Sequence, residues 1–201
     1  MTTRPATPDV VILGGGLAGL TLALQLKQRL PDLDVLVLDR RRHPVPEAAH
    51  KVGESSVEIA AHYFGKVLGL AENLQRRQLK KFGFRFFFSD GAERIDSVTE
   101  LGASTFLATP SWQIDRGIFE NDLGAIVRER GVRFLDGATV RDFTVGDGAA
   151  PHRVRYEDAD GSHEVEARWL VDASGRAGLV KRKLALAATN EHDANAVWFR
   201  I

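Results

Sequence analysis

The stretch Asp9 to Gly19, DVVILGGGLAG, decides the fold when taken together with Asp39. Val10, Val11, Ile12 and Leu13 form an uninterrupted aliphatic run, the pattern of a strand buried on both faces. It leads straight into Gly14, Gly16 and Gly19, spaced G-x-G-x-x-G. Gly14 permits a tight strand-to-helix turn, Gly16 lets a pyrophosphate approach backbone that has no Cβ, and Gly19 lets the next helix pack closely on the strand. Leu17 and Ala18 belong to the same cofactor-binding turn, where free N–H groups and the positive end of the helix dipole face the phosphates. Leu20, Leu22, Leu24, Leu26 and Leu30 supply apolar positions for a helix ending near Pro31, and Val35 to Leu38 forms a second buried strand that ends in Asp39. An acidic residue about 20 positions past the last glycine is placed to accept hydrogen bonds from a ribose 2′-OH, which disfavours a 2′-phosphate. The residues therefore predict a βαβ unit that binds FAD or NAD rather than NADP.

Composition narrows the rest. The 201 residues carry 27 lysines and arginines against 27 aspartates and glutamates, so no polyanionic partner is indicated and nucleic-acid binding is disfavoured. Arg40, Arg41, Arg42 and Lys51 form a local basic stretch. Such stretches are usually solvated loops, with a phosphate-contacting role for any one of the four as the alternative; Arg40, next to Asp39, is the member assigned to the cofactor. The absence of cysteine removes disulfides, thiolate chemistry and iron–sulfur ligation, and the six histidines lack ligand spacing, so no metal site is expected. No stretch has the length of a membrane span and no signal pattern opens the chain, so a cytoplasmic protein without membrane contact is expected.

Met1 to Pro8 reads as a disordered tail and His43 to His50 as a proline-containing loop. Ser55 or Ser56 is expected to cap a helix carrying Glu58, Ile59, Phe64, Val67 and Leu68 and ending near Gly69. Leu79 to Phe88 predicts one strand with Phe82, Phe84, Phe86 and Phe88 on one face, and Thr105 to Ala108 a second; neither alternates with a helix, which suggests a separate sheet. Ser111 to Arg116 opens an amphipathic helix, Gly117 to Arg130, with Ile118, Leu123, Ile126 and Val127 as core positions and Gly131 as its end. Val132 to Leu135 is a short strand, and Ala138 to Val171 a meander of three strands turning at Asp160-Gly161, the last containing Val165, Ala167, Trp169 and Val171 in alternation. That strand ends in Asp172-Ala173-Ser174-Gly175-Arg176, a short basic helix follows near Leu179 to Leu184, and Ala196 to Ile201 reads as a strand.

This succession resembles the N-terminal half of the FAD-dependent monooxygenases with the aromatic-hydroxylase fold. The motifs that carry the resemblance are the GGGLAG turn with Asp39, the DRGIFENDL segment headed by Arg116 and the VDASGR segment. Within that superfamily, KVGESS followed by a helix and KFGFRFFF resembles the flavin-dependent halogenases of the tryptophan-halogenase type. The resemblance implies an α/β fold: a Rossmann-like FAD-binding domain over 9–78 and 109–188, built from the βαβ unit and the meander. It also implies the beginning of a mixed or antiparallel substrate-domain sheet over 79–108 and 189–201, with the remainder beyond the chain. Gly14, Gly16, Gly19 and Asp39 would bind the ADP half of FAD, and Gly53, Glu54 and Ser55 would lie on a strap beside the flavin. Arg116 would contact the FAD, while Asp172 to Gly175 would close the pocket; the competing roles are a helix brace for Arg116 and a turn former for Asp172.

The resemblance further implies that reduced FAD from a separate flavin reductase reacts with oxygen, that the flavin hydroperoxide oxidises chloride or bromide, and that Lys81 relays hypohalous acid to an electron-rich aromatic substrate, free or carrier-tethered. Lys80 lies one residue away, and a solvated lysine at a strand start is the bland alternative. Two other readings stay open: a single-component aromatic hydroxylase using NAD(P)H, and a non-catalytic flavin-binding fragment. The family's Trp-x-Trp-x-Ile-Pro segment, its second flavin motif, its acidic base and its halide site would all fall beyond Ile201.

Overall fold

Alternation along two short strands divides the apolar residues between two cores. In the computed structural model, which describes residues 7–48, 51, 53–91, 94–192 and 197, β1 (Val10–Leu13) and β2 (Val35–Asp39) are buried along their whole length. Val10, Ile12, Val35 and Val37 enter one core; Val11, Leu13, Leu36 and Leu38 enter the other. Residues two apart share a face in a strand, so an uninterrupted aliphatic run requires cover on both sides.

One side is covered by helices. From α1 (Leu17–Arg29), Leu20, Ala23 and Leu24 reach the first core, and from α4 (Arg116–Glu129), Phe119, Leu123 and Val127 join them. The other side is covered by an antiparallel meander of β8 (Thr139–Thr144), β9 (His152–Asp158) and β10 (Gly161–Ala167), which contributes Phe143, Val154 and Ala167 to the second core. Between these layers lies a four-stranded parallel sheet in the order β11 (Trp169–Asp172), β1, β2, β7 (Arg133–Asp136). Leu13 pairs with Asp172 and with Leu38, so the Gly14 turn, Asp39 and Asp172 emerge at the same sheet edge.

Several expectations need correction. The alternating run Val165 to Val171 is not one strand: β10 ends at Ala167 in the meander, and β11 begins at Trp169 in the parallel sheet. The apolar alternation runs through the break although Val165 and Ala167 pack in the second core, Val171 packs on the first and Trp169 is exposed. Leu79 to Phe88 is likewise broken into β3 (Leu79–Lys80) and β4 (Arg85–Phe88), with Gly83 between them at φ +141°. β3 pairs with β6 (Trp112–Gln113), whereas β4 pairs with β5 (Thr99–Gly102); the partner strand therefore precedes Thr105 to Ala108, which are not in a strand.

Neither Ser55 nor Ser56 caps α2 (Glu58–His62): its N-cap is Val57, and the Ser56 hydroxyl instead accepts a hydrogen bond from the Trp112 N–H at 2.7 Å. The chain continues as a π-helical turn, Tyr63–Val67, and then as α3 (Ala71–Arg77). α4 begins one residue earlier than expected because Asp115 caps it, accepting from the Gly117 and Ile118 N–H groups at 2.8 and 3.1 Å. Ile118 is only half-buried, and Phe119 takes the core position. A short helix α5, Leu179–Lys183, follows β11 as expected. The expected tail to Pro8 is described only from Thr7, and the expected strand Ala196 to Ile201 lies outside the described residues apart from Val197.

A Cβ at Gly19 would lie 1.9 Å from the Gly14 carbonyl oxygen, so α1 packs on the turn only because this position has no side chain. Gly19→Ala should therefore destabilise the fold by about 1–3 kcal/mol, read as a lower denaturant midpoint. An unchanged midpoint would contradict the packing described.

Candidate functional site

At the carboxyl edge of the sheet the three glycines serve different ends. Gly14 has φ +114°, and a Cβ there would lie 2.3 Å from the Ala173 carbonyl oxygen. A side chain at Gly15, which the motif reading does not single out, would meet the Phe134 ring at 2.6 Å and the Asp39 Cβ at 2.9 Å. Gly16 is different, since nothing lies within 3.7 Å of where its Cβ would be. Its lack of a side chain answers no packing demand within the chain, and the open space suits a ligand approaching the backbone. Gly16 is also the N-cap of α1, whose first turn has no side-chain cap and no acidic residue, leaving the dipole uncompensated by its own helix.

Three cations gather at this opening. The nearest atoms around the Gly16 Cβ position are Arg41 Nη2 at 3.7 Å, Glu120 Oε1 at 3.8 Å and Arg116 Nη2 at 4.0 Å. Arg41 Nη1 donates to Glu120 Oε2 at 3.3 Å and Lys51 Nζ to the same oxygen at 2.5 Å. Arg116 donates to Glu120 Oε1 through Nε at 3.0 Å and Nη2 at 2.5 Å. Glu120 has no exposed surface. Burial pushes its carboxyl up, but the Lys51 hydrogen bond, the Arg116 charge and the remaining contacts outweigh it, and the carboxyl is held below its ordinary value.

Asp39, 5% exposed, accepts from the Gly15 N–H at 2.8 Å and the Arg41 N–H at 2.7 Å, and from the Arg41 side chain at 3.1 and 3.3 Å. Burial again raises the carboxyl, and Arg41 with the Gly15 N–H more than offsets it, so Asp39 too sits below its usual range. Among these five side chains, the cations Arg41, Lys51 and Arg116 exceed the carboxylates Asp39 and Glu120 by one positive charge, which fits a pyrophosphate at the mouth of the glycine turn. A nucleotide ribose would reach Asp39 by taking the place of the Arg41 side chain.

The sequence-assigned residues divide accordingly. Gly14, Gly16, Gly19, Asp39 and Arg116 are brought together; Leu17 is half-buried in the first turn of α1 and Ala18 exposed beside it. Arg40 is exposed, and Arg41 is the neighbour that meets Asp39. On the strap, a Cβ at Gly53 would lie 3.8 Å from Arg116 Nη1, buried Glu54 accepts from the Arg116 N–H at 3.3 Å, and Ser55 bridges to Gln113. Asp172 is exposed and spent on local structure: it accepts from the Ser174 hydroxyl at 2.5 Å and the Val180 N–H at 2.8 Å, joining β11 to α5. Gly175 follows at φ +62° with nothing near its Cβ position.

Lys81 is half-buried; its Nζ donates to the Ser56 carbonyl at 3.1 Å and lies 4.4 Å from the Phe84 ring centroid. Lys80 sits over Phe106 instead, at 4.9 Å. Glu120 is the residue the motif misses, while Arg41 and Lys51 fall in the basic stretch whose members are candidate phosphate contacts. A usable signal existed for Glu120, because it falls on the helix face of Leu123, Gly124 and Val127, where a lone charge needs partners. Among the described residues, no group of three or more histidine, aspartate or glutamate side chains could hold a metal ion, and no helix is long and apolar enough to cross a membrane.

Comparison with known proteins agrees with the fold. The FAD binding domain family matches residues 7–201. A 1H-pyrrole-2-carbonyl-[peptidyl-carrier protein] brominase of Pseudoalteromonas luteoviolacea is 30% identical over 175 residues, covering 87% of this chain and 39% of the relative. A flavin-dependent halogenase of Dictyostelium discoideum is 29% identical over 136 residues, covering 64% of this chain and 23% of the relative. Among solved structures, the flavin-dependent brominase Bmp2 superposes with a TM-score of 0.68 at 27% identity, over 89% of this chain and 40% of that one. The chain thus spans less than half the length of each of these proteins.

Two outcomes follow from the carboxylates. Asp39→Asn should weaken FAD binding about 10- to 100-fold, the range for a lost hydrogen bond to a charged group; unchanged affinity would remove Asp39 from the site. Both folded-state values are depressed, so the stability these groups contribute is complete above their ordinary values of 3.8 and 4.5 and is lost as pH falls through the lower folded values. Denaturant midpoints measured downward from pH 6 should fall in that acid window, and less steeply in Asp39→Asn than in the wild type; equal slopes would contradict the assignment.

Proposed function

We propose, from the premise that this chain belongs to the FAD binding domain family, that the intact protein is an FAD-dependent halogenase of electron-rich aromatic small molecules. The observation that carries this reading is Lys81, whose ammonium is held by the Ser56 carbonyl at 3.1 Å, directly after the Gly53 to Ser55 strap. Halogenating relatives give the chemistry its direction, and one of them is named for a pyrrole on a peptidyl carrier protein. Free and carrier-tethered substrates are both compatible with it.

FAD, when bound and reduced, supplies the activation of oxygen from which a halide is oxidised. The chain's own residues have four tasks. The Gly14 to Gly19 turn and the cations around Glu120 bind the pyrophosphate, while Asp39 accepts the ribose hydroxyls. The strap over Gly53, Glu54 and Ser55 borders the flavin and is tied to α4 through Glu54 and Arg116. Lys81 holds hypohalous acid by an ammonium hydrogen bond and presents its halogen to the ring; the Phe84 face and the Ser56 carbonyl fix the direction of that ammonium.

The division of the chain follows the same logic. Residues 9–78 and 109–188 form the FAD-binding unit, and 79–108 with 189–201 begin the substrate-binding unit. Phe84, Phe86 and Phe88 of the hairpin are 63%, 56% and 58% exposed, an aromatic surface suited to cover by further chain or by substrate. A separate flavin reductase supplies the electrons.

Lys81→Ala in the intact protein should lower halogenated product at least about 100-fold, the scale of one positioned proton-transfer group, with FAD binding and oxygen consumption retained. Product at the wild-type rate would end the Lys81 assignment. The bound flavin should also stay oxidised under anaerobic NADH or NADPH until a reductase is added; direct bleaching at a useful rate would favour a single-component hydroxylase.

A further inference from the structure

We propose that Glu120 is a positioning residue for the pyrophosphate of FAD, a buried carboxylate that assembles Arg41, Lys51 and Arg116 into a receptor before the cofactor arrives. The three cations come from three different segments: the loop after β2, the strap and the first turn of α4. Each is partly open to solvent, with side-chain exposures of 36%, 24% and 18%, whereas Glu120 has none. They meet at its two oxygens, which receive all three at 2.5 to 3.3 Å, while Asp39 holds Arg41 from its other side.

The place where they meet is the open side of Gly16. Glu120 Oε1 lies 3.8 Å from the empty Gly16 Cβ position, with Arg41 Nη2 and Arg116 Nη2 at 3.7 and 4.0 Å. A phosphate approaching the Gly16 backbone therefore comes against cations already gathered, at an uncapped helix start. Glu120 cannot leave to make room, since it sits on the core face of α4 beside Phe119 and Leu123. The mobile partners are the long cationic side chains, which can turn donors toward phosphate while the carboxylate keeps their other ends in place.

Charge and positioning predict opposite signs for removing that carboxylate. By charge alone, a neutral residue at 120 raises the positive potential at Gly16 and tightens binding of an anion. By positioning, three like charges lose the group that collects them, spread into solvent and must be ordered again when the nucleotide binds. The burial of Glu120 and its service to all three cations favour the second. The site then discriminates by chemistry: it accepts a nucleoside diphosphate ester or inorganic pyrophosphate, and gives no advantage to a flavin without phosphate.

The experiment titrates the intact FAD-free protein with FAD, and with inorganic pyrophosphate as competitor, in the wild type, Glu120→Gln, Lys51→Met and the double variant. Glu120→Gln should weaken FAD and pyrophosphate binding by a similar factor of about ten. Lys51→Met should weaken both several-fold in the wild type and change little in the Glu120→Gln background, because the lysine acts only where Glu120 holds it. Equal or tighter FAD binding in Glu120→Gln, or losses that multiply independently in the double variant, would overturn the proposal. A purely structural Glu120 would lower the melting temperature and leave the Lys51 coupling at zero. If Glu120→Gln does not fold, unchanged pyrophosphate binding in Lys51→Met alone overturns it. All of these read nucleotide binding, so their failure leaves the halogenation reading standing.

Discussion

An ionised carboxylate with no access to water must be met by cations, because burying it unpaired costs more than a small domain can supply. Glu120 imposes that condition on three stretches of chain at once. The loop after β2, the strap and the head of α4 are also joined by hydrogen bonds such as Val45 N–H to Asn121 and Arg116 N–H to Glu54, and each sends a cation to the same two oxygens. Arg41 then extends the arrangement to Asp39, so the acid that ends β2 and the acid inside α4 share one guanidinium. Neutralisation of buried charge is what shapes the rim of the proposed nucleotide site.

Packing decides where that rim stands. β1 and β2 send alternate residues to two cores, one covered by α1 and α4 and the other by the meander. Gly19 lets α1 come down onto the turn, and Gly15 leaves room for Phe134 and Asp39. The same contacts that bury apolar surface thereby aim the start of α1 and the end of β2 at one point. Gly16 alone among these glycines has free space before it, so no packing contact among the described residues requires its size.

Much of this was legible in the sequence where a local pattern has a single physical meaning. The aliphatic run ending in G-x-G-x-x-G and the terminal acid of β2 pointed to the βαβ unit, while leaving FAD and NAD open, because spacing dictates the turn and not the second half of the nucleotide. Strand alternation was less informative. Val165 to Val171 alternates without a break while the chain changes sheets at Arg168: Val165 and Ala167 face the meander-side core, whereas Val171 packs on the helix-side core and Trp169 is exposed. Arg40 and Arg41 cannot be told apart by composition; the turn after Asp39 settles which one folds back. The aromatic hairpin was expected in the right region, but its partner strand depends on a pairing that no local signal encodes. Glu120 lies on an apolar helix face, which marks it as unusual without revealing that its partners come from residues 41, 51 and 116.

The proposed nucleotide site stands or falls on where the FAD pyrophosphate meets the chain. A crystal structure of the FAD complex tests this most directly. The phosphates should lie within hydrogen-bonding distance, about 2.7–3.2 Å, of the Gly16 region backbone and of at least one cation anchored by Glu120, with the ribose on Asp39 in place of the Arg41 side chain. Phosphates lying elsewhere, or an Asp39 still closed by Arg41 in the presence of bound cofactor, would contradict it.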